Sequence, residues 1–148
     1  MEMEQLINSD MKKAMVEKAK ERLSAIRSIK AAIQLEKAKH GKEILTDEEI
    51  IKVILRLIRE SNESATQYAS AGRIDLVDNE TFLISVFKTY LPEQLSENEI
   101  TRKIKEFITE TGASSIRDMG KVMALANKNF VGKADMKIVS EMVRNFLN

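Results

Sequence analysis

The 148-residue sequence predicts an all-α, multihelical protein, with four helices in an N-terminal part and three in a C-terminal part. Three observations carry this expectation. Apolar residues recur at three- and four-residue spacing along nearly the whole chain, the pattern of amphipathic helices. There is one Pro and there are five Gly, so little interrupts a helical backbone. No run alternates apolar and polar residues between turn-forming clusters, so no strand is expected.

The first helix is expected from about Glu4 to Ala19. The second carries Leu23, Ile26, Ile29 and Ile33 on one face and ends near His40-Gly41, where glycine can take the left-handed position after the last turn. Thr46-Asp47-Glu48-Glu49 has the form of a capping box, in which the Thr hydroxyl accepts a free N–H and the Glu reaches back. It opens a long helix whose first half, Ile50 to Ile58, is apolar on several sides, so it should run through the middle of a bundle. Its second half, Ser61 to Ser70, is small and polar and stops at Ala71-Gly72. A fourth helix follows Asp75, with Leu76, Leu83, Val86, Phe87 and Tyr90 as its buried set. Leu91-Pro92 ends it, because proline disfavours helical backbone in the residue before it.

The stretch from Pro92 to Ser96 is the best boundary in the chain. It suggests an N-terminal subdomain over 1–92, a hinge over 93–95 and a C-terminal subdomain over 96–148. Ser96-Glu97-Asn98-Glu99 is a second capping box. Ile100, Ile104, Phe107 and Ile108 then mark an amphipathic helix stopped by Gly112. Ser115 with Asp118 opens a short helix using Ile116, Met119, Val122 and Met123. The last helix carries Ile138, Val139, Met142, Val143, Phe146 and Leu147.

The absence of Cys removes disulfides, thiolate metal sites and Cys nucleophiles together. The acidic start, Met1-Glu2-Met3-Glu4-Gln5, lacks the basic and apolar regions of a signal peptide. No apolar run approaches the roughly 18 residues of a membrane span. The expectation is a cytoplasmic protein without a membrane role. Charge is nearly balanced, 24 basic against 23 acidic side chains, which does not argue for nucleic acid by itself. It is unevenly placed. Lys12 to Lys42 holds ten Lys/Arg and three Glu, whereas Glu43 to Glu99 holds twelve acidic and five basic residues.

An autonomous active site needs a nucleophile with a base, a metal cage or a phosphate cradle. His40 is the only His, with Glu36 one helical turn before it; the pair reads as an exposed ion pair or a loose metal site. Acidic residues at Asp47-Glu48-Glu49 suit a helix dipole as well as a metal. Gly120-Lys121 and Gly132-Lys133 look like pieces of phosphate loops, but neither completes the G-x-x-x-x-G-K-[ST] pattern. They read either as glycines for helix contact or a turn with solubilising lysines, or as lysines that touch phosphate. The eight Met suit core filling. Lys20, Arg27, Lys30 and Lys37 share a face of the second helix. That stripe could follow a nucleic-acid backbone, or be a solvated face, since no aromatic residues interleave with it. No catalytic residue, metal site or cofactor is expected.

Three stretches together resemble the YqeY proteins, relatives of the C-terminal tail of the GatB subunit of tRNA-dependent amidotransferases. The first is Ala71-Gly72-Arg73-Ile74-Asp75-Leu76-Val77 leading to Tyr90-Leu91-Pro92-Glu93-Gln94-Leu95-Ser96. The second is Gly112-Ala113-Ser114-Ser115 followed by Asp118-Met119-Gly120-Lys121-Val122-Met123. The third is Gly132-Lys133-Ala134-Asp135 with Val139 and Val143. Leu23-Ser24-Ala25-Ile26-Arg27 and Leu45-Thr46-Asp47-Glu48-Glu49 are similar to the family's N-terminal half. The resemblance implies a four-helix and a three-helix subdomain. It also implies kinship with carbon–nitrogen ligases that use glutamine as amido donor, and with tRNA, an amidotransferase or an aminoacyl-tRNA synthetase as partner. Carried over by motif, Lys121 and Lys133 become candidate tRNA contacts, and Asp118, Gly120, Gly132 and Asp135 motif positions. The chain departs from the family at Ser61 and Asn62, where a basic pair is usual, and at Ala124, where Gly is frequent. The leading expectation is a non-catalytic, tRNA-binding or amidotransferase-associated helical module. The alternative is a protein–protein adaptor with no RNA role.

Overall fold

A computed structural model describes residues Glu2–Asn148; Met1, the first residue of the acidic start, lies outside the described residues. The described residues form seven α-helices and no strand: α1 (Glu2–Val16), α2 (Lys20–His40), α3 (Asp47–Ser70), α4 (Ile74–Lys88), α5 (Glu97–Thr111), α6 (Met119–Phe130) and α7 (Met136–Leu147), with one turn of 3-10 helix at Ile116–Asp118. The contacts divide the chain into two compact units, Met1–Leu91 and Pro92–Asn148.

The caps form as the sequence suggests. Glu49 N–H donates to Thr46 Oγ1 at 3.1 Å and Thr46 N–H to Glu49 Oε1 at 3.0 Å. Ser96 and Glu99 repeat the exchange at the start of α5. Gly41 closes α2 at φ 62°, and the next amide, of Lys42, bonds Lys37 O at 2.9 Å. A side chain in that backbone region is strained.

In the N-terminal unit α3 packs against α1, α2 and α4. This is the central course expected of its apolar first half; Ile50 and Ile54 are fully buried there with Ile26, Ile29 and Phe87. In the C-terminal unit α6 packs against α5 and α7. Its core holds Ile104, Val122, Phe130 and Val139, with the Phe107 and Phe130 rings 5.7 Å apart.

Four expectations need correction. The first helix stops at Val16 rather than Ala19, because Lys18 turns into the left-handed region at φ 57°. The Ser115–Asp118 cap opens a 3-10 turn, and the α-helix begins only at Met119. Leu76 and Leu83 are half-buried, so the buried set of α4 is Val86 and Phe87, with Tyr90 following. No methionine among the described residues is fully buried; Met3, Met11, Met119, Met123, Met136 and Met142 sit at the core margins, and Met15 is exposed. Long flexible side chains suit such irregular margins.

Candidate functional site

The basic stripe on α2 divides once folded. Lys30 donates to Asn8 on α1, and Lys37 Nζ lies 2.6 Å from Glu4 Oε1 on the same helix. The Lys37 and Glu4 side chains are only 14% and 18% exposed. These two lysines therefore bind α2 to α1 and present no solvated face. Lys20 and Arg27 remain exposed. Neither reading of an unbroken stripe describes the fold, because the partners lie more than twenty residues upstream.

Glu36 accepts from His40 Nε2 at 2.9 Å and from Arg56 Nη1 at 3.3 Å. Those bonds hold its carboxyl below the usual carboxylate range. The Glu36 carboxylate is thus hydrogen-bonded to His40 and ion-paired with Arg56; a metal ion would have to displace the Arg56 guanidinium. Among the described residues no group of three or more His, Asp or Glu is gathered to hold a metal. Glu49, which caps α3, also accepts from Lys42 Nζ at 2.6 Å. Lys42, then the Thr46 amide, bring its carboxyl down to about 2. The acidic cluster at 47–49 is thus a cap and dipole partner, as its position in the first turn favours. At the end of α4, Tyr90 is buried and its hydroxyl donates to Asp10 Oδ2 at 2.6 Å. Burial, then the Asp10 carboxylate, push its pKa up.

The motif residues of the C-terminal unit fall into two groups at the ends of α6. At the N-terminal end, Asp118 Oδ2 accepts from the Ser114 and Ser115 amides at 2.9 and 3.4 Å. The Ser114 amide holds this carboxyl below the usual range, and Lys121 adds to the effect. Asp118 is therefore a fold-defining residue of this turn. Gly120 and Lys121 are exposed in the first turn of α6. A Cβ built on Gly120 meets nothing within 4 Å, so no helix contact within its unit requires glycine there.

At the other end, Gly132 and Lys133 lie in the turn before α7, not at its start. Gly132 has φ 72°, a conformation that favours glycine. Gln94 Nε2 donates to Pro92 O at 2.9 Å and to Gly132 O at 2.8 Å. Leu95 N–H donates to Lys133 O at 2.9 Å. The Pro-Glu-Gln-Leu segment and the Gly-Lys-Ala-Asp segment, far apart in sequence, are thereby clasped together. Asp135 accepts from Lys137 N–H at 3.1 Å and caps α7.

Lys121 and Lys133 thus bracket α6; a 12-residue helix is about 18 Å long at 1.5 Å per residue. Lys128, which belongs to none of the motifs, is exposed on α6 seven residues after Lys121. That spacing is two helical turns and returns to the same face, and it was the available signal. No acidic residue occurs in α6. Among the described residues none of Lys121, Lys128 and Lys133 forms an ion pair. Of the two departures at the end of α3, Ser61 is buried, so only Asn62 bears on a surface. Ala124 is exposed on α6.

The fold and these surfaces define a class: an all-α protein of two helical units, the second carrying an acid-free helix with unpaired lysines along it and just beyond its end. Residues 4–147 match the family described as Yqey-like protein, and the chain belongs to that family. It is 31% identical over 141 residues to the "Altered inheritance of mitochondria protein 41, mitochondrial" of Pyrenophora tritici-repentis, covering 93% of this chain and 77% of that protein. Proteins of the same name in Clavispora lusitaniae and Lachancea thermotolerans are 31% and 28% identical. Those matches cover 71% and 74% of this chain and 62% and 59% of theirs. The chain thus spans about three fifths of the length of these two relatives. No helix among the described residues is long and apolar enough to cross a membrane.

Proposed function

We propose that the protein is a tRNA-binding helical module that associates with glutamine-dependent amidotransferase or aminoacyl-tRNA synthetase machinery and carries out no chemistry of its own. The observation that supports this reading is the exposed face of α6. Lys121 and Lys128 share it, Lys133 is exposed in the turn that follows, and no carboxylate lies within the helix. Unpaired ammonium groups spread over such a distance suit successive phosphates of a folded RNA better than one small anion. They would position the RNA without reading its bases. The kinship with the amidotransferase tail supplies the choice of tRNA. Cytoplasmic residence belongs to this proposal and is separate from the "mitochondrial" in the relatives' names.

The non-catalytic half of this reading is supported by what the side chains do. The single His is bonded to Glu36, and hydroxyls such as those of Thr66 and Thr111 donate to carbonyls one turn back. The test is retention of tRNA by the purified protein on filters, run beside an assay for glutamate released from glutamine. The expected result is tRNA binding that weakens with salt and glutamate release at background. Undetectable tRNA binding at low salt would overturn the reading; enzyme-dependent glutamate release would overturn its non-catalytic half.

A further inference from the structure

A groove between α2 and α4 in the N-terminal unit has a volume of about 330 Å³ and is lined by Lys20, Glu21, Ser24, Asn79, Phe82 and Leu83. A second hollow of about 320 Å³ shares Lys20, Glu21 and Phe82 and adds Lys18, Ala19 and Arg22. Phe82 borders both hollows, and it is 38% exposed. Three basic residues and one acidic residue surround it. Lys18 and Lys20 form no ion pair among the described residues. The basic N-terminal end of α2 thus acquires in the fold the aromatic neighbour that it lacks in sequence, from a position some sixty residues later.

We propose that this groove binds a nucleotide, its base against the Phe82 ring and its phosphate at Lys18 and Lys20. An exposed ring beside ammonium groups is the combination that single-stranded nucleic acids need. Every base has a face to stack, and every residue a charge to neutralise. Ser24 and Asn79 offer a hydroxyl and an amide to the base edge or ribose, and Glu21 can accept from an exocyclic amine. The same chemistry would take an unpaired residue of an RNA or a free nucleotide. In the first case the inference rests on the tRNA reading and adds to it a site for one splayed base, in the unit that does not contain α6.

The test uses the full chain, a labelled single-stranded oligoadenylate octamer followed by fluorescence anisotropy, and AMP as competitor. The wild type binds the octamer, and Phe82→Leu weakens binding about tenfold, a loss typical of a base–aromatic stack. Phe82→Tyr, which keeps the ring, binds nearly as the wild type does. Lys18→Ala with Lys20→Ala lowers the salt slope by about 1.4 units, at roughly 0.7 per single-strand phosphate. Circular dichroism melts identify any variant that fails to fold, and Phe82→Tyr remains informative if Phe82→Leu does not fold. Displacement by AMP at concentrations where the octamer itself binds identifies a free nucleotide as the occupant; displacement only by oligomers identifies an RNA strand. The proposal is overturned if the wild type binds neither probe, or if Phe82→Leu binds the octamer unchanged. Octamer binding lost with Lys121→Ala and Lys133→Ala, but kept in Phe82→Leu, would remove this groove and leave the tRNA reading standing. Octamer binding at the groove, with tRNA binding indifferent to Lys121 and Lys133, would do the reverse.

Discussion

In the N-terminal unit, charged and polar side chains bridge one helix to another. Lys37 reaches Glu4, Lys30 reaches Asn8, Tyr90 reaches Asp10, and Arg56 reaches the Glu36 that also holds His40. In the C-terminal unit the corresponding groups bond backbone amides and carbonyls at helix ends. Ser96 and Glu99 cap α5, Asp118 holds the turn before α6, Asp135 caps α7, and Gln94 clasps Gly132. Lys121, Lys128 and Lys133, on α6 and its following turn, form no ion pair among the described residues. A charge already joined to a neighbouring helix must lose that partner to bind anything else; an unpaired one gives up only water and counterions. Lys37 and Lys128, the same residue type, therefore mean different things in the two units.

The comparison can be broken most forcefully at the cores. Phe130 is fully buried, with its ring tilted against that of Phe107. Phe130→Ala should cost about 3–5 kcal/mol, the range for deleting a buried ring, measured by urea denaturation. Hydrogen exchange in the same variant should lose protection first in α5, α6 and α7. An equal and simultaneous loss in α2 and α3 would argue against treating the units separately.

The next effect lies at Tyr90. Removing its hydroxyl in Tyr90→Phe leaves the Asp10 carboxylate without that donor, at a cost of about 1–3 kcal/mol. Its folded pKa lies above the ordinary value of 10.0. The stabilisation is therefore complete below pH 10 and declines as pH rises past it. Urea titrations of wild type and variant at pH 8 and pH 11 should show the gap narrowing. A gap that widens with alkali would contradict the assigned contact.

The smallest effect tests whether stability and function separate on α6. Because a Cβ at position 120 meets open space, Gly120→Ala should raise stability by about 0.5–1 kcal/mol, the usual difference in helix propensity. If RNA approaches α6 closely, the same change weakens tRNA binding in filter assays while the melting temperature rises. Higher stability with unchanged tRNA binding would remove Gly120 from the interface.

What was legible in the sequence was local. Thr46 with Glu49 and Ser96 with Glu99 act over three residues, and the apolar spacing of Ile26, Ile29 and Ile33 acts within one helix, so each can be read directly. Lys30 and Lys37 could not be assigned because their partners, Asn8 and Glu4, are brought near only by the packing of α1 on α2. Phe82 and Gln94 were missed for the same reason: one faces α2 and the other the Gly132 turn, each across many residues of chain. Lys128 needed no structure, only the seven-residue interval from Lys121.

On the proposed function the lysines bracketing α6 meet phosphate, whereas Lys30 and Lys37 of α2 hold the fold. Filter-binding titrations of tRNA at several salt concentrations compare Lys121→Ala with Lys133→Ala against Lys30→Ala with Lys37→Ala, each pair combined in one protein. The first pair should flatten the dependence of log affinity on log salt by about two units, one per phosphate contact, and leave the urea midpoint unchanged. The second pair should leave that slope unchanged and lower the midpoint. A slope lost through the α2 pair, with the α6 pair binding as the wild type does, would contradict the account.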